Sequence, residues 1–129
     1  MKQKALSIQQ PWANLVVWGL KSIEIRTWST RYRGSLLIHA SQNVDKKALK
    51  RFPMQQQSLG AVIGRVELVD VRPFTEELWA ESADAHLDSG AYVSGLYAWF
   101  IADPVPLEHS VPCRGKPGLF EVNLEEGCE

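Results

Sequence analysis

Residues 11–28 read Pro-Trp-Ala-Asn-Leu-Val-Val-Trp-Gly-Leu-Lys-Ser-Ile-Glu-Ile-Arg-Thr-Trp, and the spacing of the apolar residues changes partway along this stretch. In the first part apolar side chains recur at helical intervals, which predicts a helix over about residues 11–20. In residues 22–28 apolar and polar side chains alternate, which is typical of a strand. The helix therefore runs almost directly into the strand, and Lys21 lies at the junction.

The predicted strand places Glu24, Arg26 and Trp28 on one face, each about 6.6 Å from the next. An acid, a base and an aromatic ring in a row suit a recognition surface. The alternative is a surface ion pair beside a partly buried tryptophan. Because the helix feeds directly into the strand, we expect Lys21, Glu24 and Arg26 to approach one another at the mouth of a cleft.

The rest of the chain is predicted to form short strands with few helices. Strands are expected over residues 5–9, 35–40, 60–71, 96–102 and 119–124, and helices over residues 46–52 and 75–87. Long helices do not alternate with these strands, which argues against a doubly wound parallel sheet. The pattern favours an α+β fold, in which residues 1–129 form a single domain built as a mixed β-barrel of five or six short strands with two or three helices.

Three finer expectations concern particular residues. Gly64 is expected to mark a bulge or a bend in its strand. Trp18 lies off the apolar stripe of the first helix, and burial under a loop is favoured over an exposed stacking surface. The prolines that follow residue 102 are expected to break up the chain after the aromatic strand.

Composition sets the class of protein. The chain has 129 residues, of which 45% are hydrophobic and 22% charged, and this is typical of one globular domain and not of a disordered tail. The sequence shows neither a signal-peptide pattern nor an apolar stretch long enough to cross a bilayer, so we expect no membrane association and a cytoplasmic location. Cys113 and Cys128 are expected to be unpaired thiols, and the scattered histidines predict no metal site and no cofactor.

Charge is distributed unevenly, although the net charge is only −1. Residues 21–51 carry eight basic and two acidic side chains, whereas residues 67–108 carry nine acidic side chains and one basic. A basic segment is the usual footprint for a phosphate-bearing partner, the alternative being solvated surface. In the helix predicted after Asp45, basic side chains lie opposite an apolar back: Lys46, Lys47, Lys50 and Arg51.

Four blocks of sequence resemble the ASCH domain (activating signal cointegrator homology) of the PUA-like superfamily. They are Leu6-Ser7-Ile8-Gln9-Gln10-Pro11-Trp12-Ala13, residues 19–28 running into Tyr32-Arg33-Gly34, Gly64-Arg65-Val66-Glu67-Leu68-Val69-Asp70, and Gly115-Lys116-Pro117-Gly118-Leu119-Phe120. Together they span nearly the whole chain in the order of the family. The resemblance implies a PUA-like mixed β-barrel, in agreement with the predicted strands.

The resemblance also implies a function. Domains of this family are thought to bind RNA or modified nucleosides in a cleft between the barrel and the first helix. Transferred to this chain, the cleft and its surroundings comprise Lys21, Glu24, Arg26, Trp28, Arg33, Ser41 and Lys116. Lysine and arginine neutralise phosphate, tryptophan stacks on a base, and glutamate accepts a hydrogen bond from an exocyclic amine. RNA or a modified nucleoside is therefore the expected partner.

A hydrolase is the second hypothesis. Some bacterial proteins of this family hydrolyse N4-acylated cytidines with a lysine, a threonine and a glutamate. In this chain Lys21 matches the lysine and Glu67 the glutamate, but Glu24 occupies the position of the threonine. A carboxylate cannot replace a hydroxyl nucleophile, so such an enzyme would need water as the nucleophile and a carboxylate, Glu24 or Glu67, as the base that activates it.

Two other functions stay open. RNA cleavage would use Lys21, Arg26 and either His39 or Tyr32 at a pentavalent phosphate, although a histidine in an apolar strand is more typical of a hydrogen-bonded core residue. A protein–protein adaptor would use the acidic helix predicted over residues 75–87. Because Glu24 argues against the threonine mechanism, the sequence favours binding over catalysis.

Overall fold

The computed structural model describes residues 1–55 and 57–128, and six strands in it form one mixed sheet. The strands are β1 (Gln3–Gln10), β2 (Ile23–Arg26), β3 (Gly34–Val44), β4 (Ala61–Pro73), β5 (Tyr97–Pro112) and β6 (Leu119–Val122). They are arranged in the order β2-β5-β4-β3-β1-β6, with β1 and β3 parallel and the other neighbours antiparallel. The predicted α+β class and strand count are confirmed. The sheet is not closed, since β2 and β6 are its edges among the described residues.

Short helices connect the strands. In the described part of the chain they are α1 (Trp12–Val17), α2 (Lys46–Arg51), α3 (Glu76–Glu81), α4 (Ala83–His86) and the 3₁₀ turn Leu124–Glu126. Asp45 accepts a hydrogen bond from the backbone N–H of Ala48, which begins α2 as predicted. The acidic segment expected as one helix over residues 75–87 is instead two helices, because Ser82 leaves helical geometry between them with φ −107°.

Helix α1 packs on the sheet where β4 bends. A Cβ atom added to Gly64 would lie 2.5 Å from Cγ1 of Val17, so no side chain fits between the helix and the strand here. Next to Gly64, β4 shifts register in its pairing with β3 and in its pairing with β5, which confirms the predicted bulge. Trp99 of β5 is completely buried in the same core. This close packing fixes the position of α1 and of the residues that follow it.

Strand β5 is longer than the sequence predicts. It continues to Pro112, so the expectation that prolines interrupt the chain after residue 102 is wrong. β2 pairs only with residues 97–100 of β5, and the part that contains Pro104 and Pro106 pairs on one side alone, with β4. A proline has no N–H to donate, and it is tolerated in a strand where one side needs no partner.

Two expectations about side chains are also wrong. Trp18 is 52% exposed, because α1 ends one residue before it. Cys113 and Cys128 are not unpaired thiols: they form a disulfide, with their Cα atoms 5.5 Å apart. Disulfides are typical of oxidising compartments, so this pair gives no support to the expected cytoplasmic location, which stays a prediction. None of the described helices has the length and hydropathy to span a membrane.

Candidate functional site

The turn after α1 places Lys21 just before strand β2. Gly19 adopts φ +80°, a conformation that favours glycine, and it turns the chain so that the N–H groups of Leu20 and Lys21 both donate to the carbonyl of Leu15. The Lys21 side chain is only 2% exposed. Its ammonium group donates a hydrogen bond to the carbonyl of His86 at the end of α4. The lysine at the junction is therefore a buried residue held by two parts of the chain.

Three charged side chains meet beside this lysine. Glu24 is 8% exposed, with one carboxylate oxygen 3.9 Å from Nζ of Lys21 and the other 3.1 Å from Nη1 of Arg26. The expected approach of these residues is confirmed, and the two cations flank one carboxylate. The guanidinium of Arg26 also donates to the carbonyl of Ser7 on β1, at 3.4 Å. The cluster thus joins β2 to β1 across a gap in the surface.

Burial changes the acidity of Lys21. Desolvation lowers its pKa below the ordinary 10.5, and the negative charges of Glu24 and Asp88 oppose that shift by raising the pKa. An amine in this environment loses its proton more readily than a lysine in solvent. The lowered pKa suits a proton acceptor, whereas the carboxylates of Glu24 and Asp88 favour the charged amine of an ion pair.

The gap beside the cluster is a cleft of about 410 Å³. Its walls come from β1, α1, β2, β3 and the segment after α4, and its charged, aromatic and hydroxyl side chains include Trp12, Lys21, Glu24, Arg26, Ser41 and Asp88. Cavities of 300–1,000 Å³ suit small ligands, so the cleft has the size for a nucleoside. We call this cavity the cleft.

Trp12 is the aromatic residue of the cleft. Nζ of Lys21 lies 4.7 Å from the centre of its ring, a cation–π contact. Its indole N–H donates to Asp45 at 2.9 Å. The pKa of Asp45 is lowered mainly by the hydrogen bond from the backbone N–H of Ala48 and, second, by this bond from Trp12. The ring is thereby fixed between the lysine and the beginning of α2. Helical periodicity in the sequence gives no sign of this role.

A short segment after α4 closes the cleft on its other side. His86 is buried, and its Nε2 atom donates to the carbonyl of Trp79 while its Nδ1 atom accepts from the N–H of Asp88, both at 2.9 Å. Arg51 of α2 donates to the carbonyl of Leu87 at 2.8 Å. These contacts bring Asp88 to the cleft, so the acidic and basic segments of the sequence meet there.

Several predicted site residues lie elsewhere. Trp28 packs edge-on against Trp99 with ring centres 4.8 Å apart and does not line the cleft. Arg33 is exposed and pairs with Asp70 at 3.4 Å. Glu67 lies on β4 opposite Ala102 of β5 and does not line the cleft, whereas Asp88 does, so the catalytic role of Glu67 stays a prediction.

The residues proposed for RNA cleavage are engaged in structural hydrogen bonds. His39 is 1% exposed, and its ring contacts Ser7 Oγ at 2.9 Å and the carbonyl of Cys113 at 2.6 Å. The hydroxyl of Tyr32 donates to the carbonyl of Ser35. His39 is thus the hydrogen-bonded core residue that its apolar strand suggests.

The basic helix borders the cleft. In α2 only Ala48 is buried, and the four predicted basic side chains are exposed: Lys46, Lys47, Lys50 and Arg51. Lys47 and Arg51 line a groove of about 410 Å³ that shares Trp12 and Asp88 with the cleft. The helix therefore presents positive charge along one side of the candidate site.

A larger cavity, of about 1,030 Å³, lies beside Trp18. Its charged or titratable lining residues are Glu108 and His109, which are exposed and lie 3.7 Å from each other. No buried charged side chain lines this larger cavity, whereas the buried side chains of Lys21 and Glu24 line the cleft. The smaller cavity is for this reason the better candidate site.

The residues of the cleft lie in a part of the chain that matches a known family. The model of the ASCH domain matches residues 6–109, a segment that contains the cleft. The chain belongs to the ASCH domain family. The match ends before Lys116, which lies in a neighbouring cavity of the structure.

The relatives cover the domain but extend well beyond it. Activating signal cointegrator 1 of Homo sapiens and that of Mus musculus are each 29% identical to this chain over 136 residues, which is 92% of the chain and 22% of the relative. The ASCH domain described here thus spans about a fifth of these curated relatives.

Solved structures establish the fold. A crystal structure of ASCH from Zymomonas mobilis has a TM-score of 0.67 at 16% identity and covers 95% of this chain and 89% of that one. A point mutant of the same protein gives a TM-score of 0.69 at 15% identity, with 95% and 91% covered. At this identity the similarity supports the PUA-like fold alone.

Proposed function

We propose that this ASCH domain binds RNA or a modified nucleoside, with a base inserted in the cleft. The observation that carries the proposal is the buried carboxylate of Glu24, held between Lys21 and Arg26 in a cavity of nucleoside size. A carboxylate accepts hydrogen bonds from an exocyclic amine, and a guanidinium donates to ring nitrogens and carbonyls. Membership of a family related to the RNA-binding PUA-like fold supports the same function.

The surroundings of the carboxylate suit a planar ligand. Trp12 presents an indole ring that its hydrogen bond to Asp45 keeps in one orientation. Stacking of a base on such a ring contributes about 1–3 kcal/mol. Glu24 accepts hydrogen bonds from the base and Arg26 donates to it, which discriminates among bases, and stacking on Trp12 supplies affinity.

Single substitutions in the cleft test this function. Trp12→Ala and Arg26→Ala should each weaken binding of a short single-stranded RNA by about 10–100-fold, since each removes a stacking or hydrogen-bonding partner. Fluorescence anisotropy of a labelled oligonucleotide measures the affinity, and circular dichroism verifies the fold of each variant.

Matched controls come from outside the cleft. Trp18→Ala removes an exposed tryptophan and Arg33→Ala an exposed arginine, and both should keep the affinity of the original protein. Equal losses in the cleft variants and the controls would show that binding does not use the cleft. Absence of binding to RNA and to all nucleosides tested would refute the proposed function itself.

Helix α2 should contribute through charge alone. Changing Lys46, Lys47 and Lys50 to alanine should reduce the slope of log affinity against log salt concentration by up to about 2, at roughly 0.7 per phosphate on a single strand. Arg51 is kept in this variant because it holds the carbonyl of Leu87 beside the cleft. The measurement is a salt titration of RNA binding. An unchanged slope would identify this face as solvated surface only.

A further inference from the structure

Phosphate recognition needs positive charge that is not already neutralised, and the cleft supplies little. Both of its cations lie against Glu24, and Asp88 adds a second negative charge. A ligand held there by its base would therefore find no strong partner for a phosphate. The partner of a phosphate must lie beside the cleft.

A second cavity, of about 530 Å³, adjoins the cleft through two shared hydroxyl residues, Ser7 and Ser41. Arg114 and Lys116 line this cavity. Among the described residues neither one forms an ion pair. This adjoining cavity thus holds the uncompensated positive charge that the cleft lacks.

The loop that carries these two cations is anchored at its beginning. The N–H of Cys113 donates to the carbonyl of Gly60 at 2.9 Å, and the disulfide ties Cys113 to Cys128. The carbonyl of Cys113 lies 2.6 Å from Nε2 of His39. A carbonyl can only accept, so Nε2 carries the proton and Nδ1 accepts from the hydroxyl of Ser7 at 2.9 Å. A chain of hydrogen bonds thereby connects the shared wall to the loop.

Gly115 allows the loop to lie directly on this chain of hydrogen bonds. A Cβ atom at Gly115 would be 2.8 Å from Cε1 of His39 and 3.2 Å from Oγ of Ser7, too close for a side chain. The residues on either side of it, Arg114 and Lys116, consequently stand at the cavity next to the shared wall. The backbone that carries the two cations is held in place in this way, so the loop itself needs little ordering when a ligand binds.

We propose that the adjoining cavity is a phosphate subsite, in which Arg114 and Lys116 bind the phosphate of a nucleotide whose base occupies the cleft. The inference rests on the proposed function, and it narrows the ligand class from nucleosides to nucleotides and RNA strands. Arginine contributes a planar fork that matches two phosphate oxygens, and lysine contributes a point charge. Ser41 lies at the passage between the two cavities, where a ribose would cross.

Calorimetric titration with cytidine, cytidine 5′-monophosphate and cytidine 3′-monophosphate tests the subsite. One of the two monophosphates should bind at least about tenfold more tightly than cytidine, because charge-assisted hydrogen bonds form to the phosphate. The double variant Arg114→Ala/Lys116→Ala should bind that monophosphate and cytidine with equal affinity. Its affinity for cytidine should match that of the original protein.

The control variant Lys2→Ala/Arg65→Ala removes the same number of charges at exposed positions outside both cavities, and it should keep the preference for phosphate. If cytidine binds and neither monophosphate binds more tightly than cytidine, the phosphate subsite is overturned and the proposed function still stands. An equal loss of the gain in the control would also overturn it, because net charge would then explain the effect. Failure of all three ligands and of RNA to bind would refute the proposed function instead.

Discussion

Replacing Glu24 by alanine should lower the free energy of unfolding by about 3–5 kcal/mol, a large effect for a residue in a surface cleft. The substitution leaves the ammonium of Lys21 buried, 2% exposed, without its carboxylate at 3.9 Å. A buried charge that loses its partner keeps its desolvation cost and loses the compensating attraction. Urea unfolding followed by circular dichroism measures the difference.

A double-mutant cycle separates this cause from a simple loss of packing. Adding Lys21→Met to Glu24→Ala removes the unpaired charge, so the double variant should recover at least half of the lost stability. The matched control is Glu121→Ala, which breaks the exposed Lys4–Glu121 pair at 3.8 Å and should cost less than about 1 kcal/mol. Additive losses in the cycle would show that Lys21 and Glu24 are not coupled.

The pH dependence of the alanine variant has a definite sign. The Glu24 carboxylate raises the pKa of Lys21 against the lowering by burial, so its removal lowers the pKa of Lys21 in the folded state further below 10.5. In the window between that lowered pKa and 10.5 the unfolded chain binds more protons than the folded one, and stability increases with pH. The increase over this window should be larger in Glu24→Ala than in the original protein.

The part of the site that the sequence predicts is local in the chain. One helix end and one strand carry Lys21, Glu24 and Arg26. The helical spacing of apolar residues and the alternation of side chains in the strand are enough to place them together. The same reasoning fails two residues later, because β2 ends at Arg26 and the alternation of side chains no longer applies to Trp28. The aromatic wall is instead Trp12, whose orientation depends on Asp45 in a distant segment.

The remaining errors come from the order of strands, which no local pattern encodes. Glu67 is on β4, and β5 lies between that strand and β2, so Glu67 does not line the cleft. Asp88 reaches the cleft through the hydrogen bonds of His86. The Cys113–Cys128 pair likewise depends on how the last residues of the chain return to the loop before β6. Long-range pairing decides these positions, and residue spacing does not.

Replacing Glu24 by threonine should create an amidohydrolase activity on N4-acetylcytidine, about 10²–10⁴-fold above that of the original protein, which should be weak on this substrate. The new hydroxyl would lie beside the buried amine of Lys21. Loss of the Glu24 charge also lowers the pKa of Lys21, so more of the amine is neutral and can accept the hydroxyl proton. The amine can return that proton to the exocyclic nitrogen of cytidine as the acyl group transfers to the hydroxyl, and water then hydrolyses the threonine ester to release acetate.

The structure changes which carboxylate should assist this reaction. Asp88 lines the cleft and acts on the charge of Lys21, whereas Glu67 does neither. We assign Asp88 to activate the water that hydrolyses the resulting ester, so Asp88→Asn in the Glu24→Thr background should greatly reduce acetate release, and Glu67→Gln in the same background should preserve it. Glu24→Val, which has a similar shape but no hydroxyl, is the matched control and should stay inactive. Acetate release assayed at low temperature on folded variants decides the outcome. Activity in the valine variant, or rapid turnover by the original protein that survives Lys21→Ala, would contradict this account and place the chemistry outside the cleft.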